Sequence, residues 1–103
     1  MEINITGKWE EKSLIIALTG RLNNNTAPEL SAYLSENLQR AAALVLDLAG
    51  LEYLSSAGLR VILSASKRLS APGAELRIVN VREGVMEVFE ITGFVDILSI
   101  ERA

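Results

Sequence analysis

The apolar and polar residues near the beginning of the chain alternate in a way that predicts two strands. In residues 3–9 the apolar side chains fall loosely at every second position, which is typical of an edge strand with one buried face. Residues 13–19 contain a nearly continuous apolar run and predict a more buried strand. The polar residues 10–12 predict a turn between them, so the two strands should form a hairpin.

A first helix is predicted after a loop at residues 21–25. Gly20 is expected to end the second strand, and three consecutive asparagines suit a tight connection because Asn tolerates left-handed backbone. Thr26 and Glu29 have the spacing of a capping box, with Pro28 tolerated in the first turn. The helical stripe predicted to face the core consists of Leu30, Leu34, Leu38 and Ala41.

A third strand and a second helix are predicted in the middle of the chain. Residues 43–48 are almost continuously apolar, which indicates a central strand covered by helices. The following helix is expected to end near Ser70, before a turn at residues 71–73. Its buried face is predicted to contain Leu59, Ile62, Ala65 or Ser66, and Leu69.

The last third of the chain predicts one more strand and one more helix. The strand covers residues 75–81, and the helix covers residues 82–92 and is closed by Gly93. Residues 94–100 are a short apolar segment that forms either a last strand or a docking segment. The order β-β-α-β-α-β-α-β predicts an α/β fold with a mixed sheet of four or five strands and three main helices, in one domain over residues 1–103.

Composition and charge narrow the range of functions. Half of the residues are hydrophobic and the net charge is -3, with no block of like charges. This balance argues against binding to nucleic acid and against a basic membrane-binding surface. The longest apolar runs are far shorter than the roughly 18 residues that a membrane span needs, and the first residues lack the features of a signal peptide. A cytoplasmic protein that does not insert into the membrane is expected.

The chain contains neither cysteine nor histidine. Disulfides, thiol nucleophiles, the usual zinc sites and the commonest general base are therefore excluded. A glycine-rich phosphate-binding loop is also missing, which leaves a nucleotide-binding protein or a small enzyme without support. The sequence therefore predicts a binding module with no catalytic residues, no metal site and no cofactor.

Two serines stand at the junction between the third strand and the second helix. If Ser55 is the N-cap, the residues before the cap and at the fourth helical position are Leu54 and Leu59, an apolar pair typical of a hydrophobic staple. With Ser56 as the cap, that pair would be Ser55 and Arg60, which is not a staple. Ser55 is therefore predicted to cap the helix and Ser56 to present a free hydroxyl at its first residue.

The small residues after this pair have two interpretations. Ala57 and Gly58 leave room for another protein to approach Ser56, but Gly58 also suits close packing of the helix on the sheet. Ser55 and Ser56 themselves could be nothing more than a polar helix start, since Ser is a common cap. A nucleophilic role for Ser56 is disfavoured because the chain has no histidine and no Gly-x-Ser-x-Gly motif.

Several segments together resemble the STAS domain family of anti-sigma factor antagonists. The clearest is the run L-E-Y-L-S-S-A-G-L-R-V-I-L at the junction. It is accompanied by T-G-R-L before the first helix, by D-L at the end of the third strand and by V-F-E-I-T-G-F in the last helix. The resemblance covers nearly the whole chain and agrees with the predicted order of elements.

The resemblance implies a non-enzymatic protein that binds an anti-sigma factor, which is itself a serine kinase of the GHKL ATPase type, and thereby releases a sigma factor. Phosphorylation of the signature serine, here Ser56, would end the complex, and a PP2C-type phosphatase would reset it. The implied partner-binding surface consists of Asn23, Asn24, Thr26, Ser55, Ser56, Ala57, Gly58 and Arg60. A plain turn is the competing interpretation of the asparagines.

Two positions depart from the family's usual pattern. Phosphorylated members usually carry Asp before the acceptor serine, where this chain has Ser55. The second loop of the family often carries the motif Gly-x-Leu-Asp, and the last position of that motif is Asn23 in this chain. A second function therefore stays open at this point. The chain could be a stand-alone STAS subunit that docks permanently to a membrane transport complex, without modification of Ser56.

Overall fold

The computed structural model describes residues 2–69 and 74–103, and these form a five-stranded sheet and three α-helices. The strands are β1 (Ile3–Glu10), β2 (Ser13–Leu22), β3 (Ala43–Leu54), β4 (Glu75–Val81) and β5 (Ser99–Arg102). The helices are α1 (Ala27–Asn37), α2 (Ser56–Arg68) and α3 (Glu83–Thr92), with short 3₁₀ turns at Leu38–Arg40 and Phe94–Asp96. This order confirms the predicted fold, and the apolar segment near the C-terminus leads into a short fifth strand.

The five strands lie in the order β1-β2-β3-β4-β5, so each new strand is added beside the previous one. β1 is antiparallel to β2, and the three following pairs are parallel. Because parallel crossovers are right-handed and all step in the same direction, the three helices lie on one face of the sheet. We call this the helix-covered face and the opposite side the open face.

The burial pattern of β3 shows that helices cover this predicted central strand on one side. Leu44, Leu46 and Leu48 are fully buried, whereas Val45 and Asp47 between them are only partly buried. β2 shows the same alternation. The apolar run therefore gives β3 one side that packs on the core and one side that lies on the open face.

One hydrophobic core fills the space between the helices and the sheet. The predicted stripes are confirmed for α1 and for the first three turns of α2, since their apolar residues belong to this core. The helices contribute Leu30, Leu34, Leu59, Ile62, Ala65, Val85, Met86 and Phe89. Burial of such a side chain stabilises the fold by about 1.5–3 kcal/mol, so the core anchors both helix entrances described below.

Both central strands extend further than predicted, and this extension positions the functional site. Gly20 does not end β2 but lies within it, at φ +105°, where the sheet register shifts. A Cβ at Gly20 would lie 2.2 Å from the carbonyl oxygen of Glu2, so only glycine fits there. β2 and β3 then run on together to Leu22 and Leu54.

The end of α3 agrees with the prediction, whereas α1 ends at Asn37, before Leu38 and Ala41 of its predicted stripe. α3 ends at Gly93, which adopts the left-handed conformation (φ 80°) expected of a C-cap glycine. α2 ends at Arg68 with Leu69 as its C-cap, whereas Ser70 and the predicted turn at residues 71–73 lie outside the described residues. Within the described part of the chain, none of the helices has the length and apolar character to cross a membrane.

Candidate functional site

The junction between β3 and α2 has the cap that the sequence predicts. Ser55 adopts an extended backbone (φ -96°, ψ 172°), and its Oγ accepts a hydrogen bond from the backbone N–H of Gly58 at 3.3 Å. The N–H of Ser55 donates to the carbonyl of Leu22 at the end of β2, which fixes the junction to the neighbouring strand. Leu54 and Leu59 are both buried, as the staple argument requires. The Ser55 hydroxyl is thus committed to the helix start.

Ser56 is the first residue of α2 and is exposed. Within the described part of the chain, its side chain takes part in none of the hydrogen bonds, in contrast to that of Ser55. The first N–H groups of a helix have no intrahelical acceptor and carry the positive end of the helix dipole. The Ser56 hydroxyl is therefore free, accessible and located where a negative charge is tolerated.

Gly58 packs on the end of the sheet and does not face solvent. It is buried, and a Cβ at this position would lie 2.7 Å from Cγ of Leu22 and 2.9 Å from Cδ1 of Leu54. Of the two interpretations left open by the sequence, packing explains this glycine, so Gly58 is removed from the set of residues that a partner could touch. Ala57 is partly buried against the same core.

The loop before α1 is held together by its own side chains. Asn23 Oδ1 accepts hydrogen bonds from the backbone N–H groups of Asn25 (2.9 Å) and Thr26 (3.1 Å), and Asn23 Nδ2 donates to Glu2 at 2.8 Å. Thr26 Oγ1 donates to the carbonyl of Arg21 and accepts from the N–H of Asn23, both at 2.8 Å. The loop is therefore a tightly bonded turn, as the asparagines suggested.

The capping box predicted at Thr26 is wrong, although α1 does begin directly after it. Thr26 is the N-cap residue, but its side chain makes no capping hydrogen bond because the hydroxyl is occupied within the loop. Thr26 is also only 2% exposed, so its side chain cannot form part of a partner-binding surface. It supports that surface from beneath.

Two shallow depressions lie on either side of the junction, and Asn24 contributes to both. The first has a volume of about 400 Å³ and is lined by Arg21, Asn23, Asn24, Asn25, Tyr53 and Ser55. The second has a volume of about 370 Å³, lies between the starts of α1 and α2, and includes Ala57 and Arg60. The structure thus brings together the predicted residues Asn23, Asn24, Ser55, Ala57 and Arg60 around Ser56.

Sequence analysis did not identify Arg21 and Tyr53, which form the wall of the first depression. They are register partners on the extended ends of β2 and β3, and the Arg21 guanidinium stacks 4.5 Å from the centre of the Tyr53 ring. Tyr53 is 43% exposed although it is a large aromatic residue. Its position three residues before Ser56 in the signature segment was a signal that could have drawn attention to it.

Among the described residues, unpaired charges of both signs lie at this end of the molecule, with Glu29 and Glu52 exposed beside two arginines. Arg21 and Arg60 are exposed, and neither takes part in a salt bridge within the described residues. Ser56 and Arg60 are four residues apart on α2, which places them on the same side of the helix. An anionic group on a partner, or on Ser56 itself, would therefore meet guanidinium groups.

Comparison with known proteins identifies relatives along nearly the whole chain. The candidate anti-sigma factor antagonist BtrV of Bordetella bronchiseptica is 41% identical over 88 residues, which cover 84% of this chain and 76% of that protein. The anti-sigma-B factor antagonist of Bacillus subtilis is 30% identical over 100 residues, 97% of this chain and 92% of that protein. Such antagonists are regulatory proteins without enzymatic activity, which agrees with the predicted binding module.

Solved structures support the same fold. An anti-sigma factor antagonist from Mycobacterium paratuberculosis superposes with a TM-score of 0.88 at 20% identity, over 98% of this chain and 86% of that one. The Bacillus cell fate determinant SpoIIAA in its phosphorylated form gives a TM-score of 0.74 at 16% identity, over 94% and 90% of the two chains. The family model of the STAS domain matches residues 3–103. The chain therefore belongs to the STAS domain family.

Proposed function

We propose that this chain is a cytoplasmic anti-sigma factor antagonist, acting as one STAS domain over residues 1–103, whose binding is switched off by phosphorylation of Ser56. Its partner is an anti-sigma factor that is also a GHKL-type serine kinase, and a PP2C-type phosphatase restores the unmodified form. The names of the relatives support the antagonism. The observation that carries the switch is the exposed hydroxyl of Ser56, free of hydrogen bonds among the described residues and flanked by two depressions.

The fold tolerates a phosphate at Ser56 for two reasons. The group sits at the N-terminus of α2, where the helix dipole and the unbonded N–H groups stabilise negative charge. It also stands one helical turn before Arg60, whose guanidinium has no salt-bridge partner within the described residues. Phosphorylation should therefore leave the stability of the domain unchanged or slightly increased.

A bound partner does not tolerate the same phosphate. Phosphorylation adds about -1.5 to -2 units of charge to a surface that carries the exposed guanidinium groups of Arg21 and Arg60. Acidic groups of a partner that bind these guanidinium groups in the unmodified form would then face a phosphate. Because the phosphate must also be desolvated when a protein covers it, the modification opposes binding without unfolding the domain.

Ser55 performs the structural part of the role that Asp has in phosphorylated members of the family. Its hydroxyl caps α2, so the helix start and the orientation of Ser56 do not depend on a carboxylate. What Ser55 lacks is the negative charge beside the acceptor. We infer that the kinase partner recognises Ser56 through the surrounding surface, including Arg21 and Tyr53, without an acidic neighbour.

The test compares variants at Ser56 in binding to the anti-sigma factor kinase, purified after capture by the unmodified chain. Isothermal titration should show Ser56→Asp binding at least about 100-fold more weakly, or about 2.7 kcal/mol, and Ser56→Ala binding within about threefold of the original chain. Ser64→Asp is the matched control, since Ser64 is exposed on the same helix two turns away. Incubation with the kinase and ATP should add one phosphate, located at Ser56 by mass spectrometry.

Equal affinities of Ser56→Asp and Ser56→Ala for the kinase would contradict the switch. If the captured partner were instead a component of a membrane transport complex, and the chain carried no phosphate, the second function would hold. In that case the same surface would be a permanent docking site.

A further inference from the structure

The open face of the sheet carries two neighbouring rows of side chains with opposite charge. Strand pairing aligns the residues across four strands, from β1 to β4, so each row crosses the sheet at one level. The acidic row consists of Glu10, Ser13, Ala43 and Glu75. The basic row lies two residues away from the acidic row on each strand. It consists of Lys8, Ile15, Val45 and Arg77.

Both rows have the same internal arrangement, with charges at the ends and uncharged residues in the middle. In the acidic row the two central residues, Ser13 and Ala43, are small. In the basic row they are the larger, β-branched Ile15 and Val45. Ile15 and Val45 are partly buried but do not belong to the apolar residues packed against the core on the other face. The middle of the two rows is therefore uncharged and mainly apolar, with charges at the rim as in many protein interfaces, and Asp47 lies one row further along β3.

We propose that the open face binds a second copy of this chain, with the acidic row of each copy against the basic row of the other. A two-fold axis that lies parallel to the rows and midway between them produces this arrangement, because it exchanges the rows and keeps β1 over β1. The interface is then isologous, as in most homodimers.

Charge and size are both complementary in this arrangement. At one end of the rows Glu10 faces Lys8 of the second copy, and at the other Glu75 faces Arg77. In the centre the small Ser13 and Ala43 face the larger Ile15 and Val45, so that the side chains interdigitate. An axis placed through the middle of the basic row would instead set Lys8 against Lys8 and Arg77 against Arg77, which charge repulsion disfavours.

Contacts within one copy keep the charged rim in place. Lys8 Nζ lies 3.4 Å from Glu10 Oε2, and Arg77 Nη2 lies 2.7 Å from Glu101 Oε2. The hydrogen bond with Glu101 raises the pKa of Arg77 and holds its guanidinium beside that carboxylate. In the dimer these pairs would join into alternating clusters of positive and negative groups.

The dimer should be weak and should leave the Ser56 surface open. Four strands at a spacing of about 4.8 Å and rows about 7 Å apart give a contact well below the roughly 800 Å² per partner of a stable complex. Val45 lies ten residues before Ser55 along β3, about 30 Å at 3.3 Å per residue. Self-association and partner binding would then use opposite ends of the strands, and this proposal does not depend on the proposed function.

The experiment is sedimentation velocity of the full chain over a wide range of concentrations. A reversible equilibrium between monomer and dimer is expected. Glu10→Lys should weaken dimerisation at least about tenfold, because it sets like charges against each other at two symmetric positions. The double variant Lys8→Glu with Glu10→Lys should restore it, since the opposite charges still face each other. Val45→Glu, in the centre of the face, should also abolish the dimer.

Ile91 provides the matched control, because it is 85% exposed on α3, away from the open face. Ile91→Glu should leave dimerisation unchanged. A chain that stays monomeric at all concentrations would overturn the proposal, as would a dimer that Ile91→Glu disrupts and Glu10→Lys does not. Thermal melts by circular dichroism check that each variant is folded, and the charge variants test the interface even if Val45→Glu destabilises the strand.

Discussion

The entrances of α1 and α2 lie beside each other at the same end of the sheet, and each carries a hydroxyl residue, but they use it in opposite ways. At α1, the Thr26 hydroxyl points inward, is 2% exposed and bonds the backbone of Arg21 and Asn23. At α2, the cap is made by Ser55, and the hydroxyl of the next residue, Ser56, is left exposed.

The difference shows how the fold separates stability from function at this surface. The bonds that position the surface belong to Thr26, Asn23 and Ser55, all of which are fully or partly buried. Ser56 is accessible to solvent and takes part in none of these bonds. A chemical change at Ser56 can therefore alter binding while the scaffold stays intact, whereas a change at Thr26 would alter the scaffold itself.

The largest effect on stability is expected for Thr26→Val. This substitution keeps the shape but leaves the carbonyl of Arg21 and the N–H of Asn23 without their partner, which should lower the free energy of unfolding by about 2 kcal/mol. Urea denaturation measures the change. Thr6→Val is the matched control on exposed β1, and it should change stability by less than about 0.5 kcal/mol. Equal effects at the two threonines would contradict the structural role of Thr26.

Gly58→Ala is expected to lower the stability of the fold somewhat less than Thr26→Val. The added Cβ would crowd Leu22 and Leu54, and overpacking of this kind costs about 1–3 kcal/mol, partly offset by the better helix propensity of Ala. We expect a net loss of about 1–2 kcal/mol in urea denaturation. Gly84→Ala is the control, since a Cβ at Gly84 in α3 meets nothing within 4 Å. A stability gain at Gly58 would show that the glycine serves partner approach after all.

Local signals in the sequence were sufficient to predict most of the helices and strands. β4 has the predicted bounds, and α3 ends at Gly93 because a glycine at that position closes a helix wherever the rest of the chain lies. The extension of β2 was missed because Gly20 resembles a strand end. Its role in a bulge depends on the neighbouring carbonyl of Glu2, and the local pattern contains no information about that contact.

At the candidate site, too, features that depend on nearby residues could be predicted, and features that depend on strand register could not. The choice of Ser55 as the cap could be made from Leu54 and Leu59, because a staple depends only on residues close in sequence. The stack of Arg21 on Tyr53 could not be predicted, since it depends on the register between β2 and β3. The capping box at Thr26 was wrong for a related reason, because the loop residue Asn23 competes for the same groups.

The smallest effects on stability are expected at the two adjacent serines, Ser55 and Ser56. They test most directly whether a capping hydroxyl and a free hydroxyl differ. Ser55→Ala removes the cap of α2 and should cost about 1 kcal/mol. Ser56→Ala removes no hydrogen bond found among the described residues and should change stability by less than about 0.5 kcal/mol. Ser55→Asp should retain the cap, because a carboxylate accepts the same hydrogen bond from Gly58 and favours the helix dipole. If Ser56→Ala lowered the free energy of unfolding as much as Ser55→Ala in urea denaturation, the Ser56 hydroxyl would have a structural role. It would then not be free for modification.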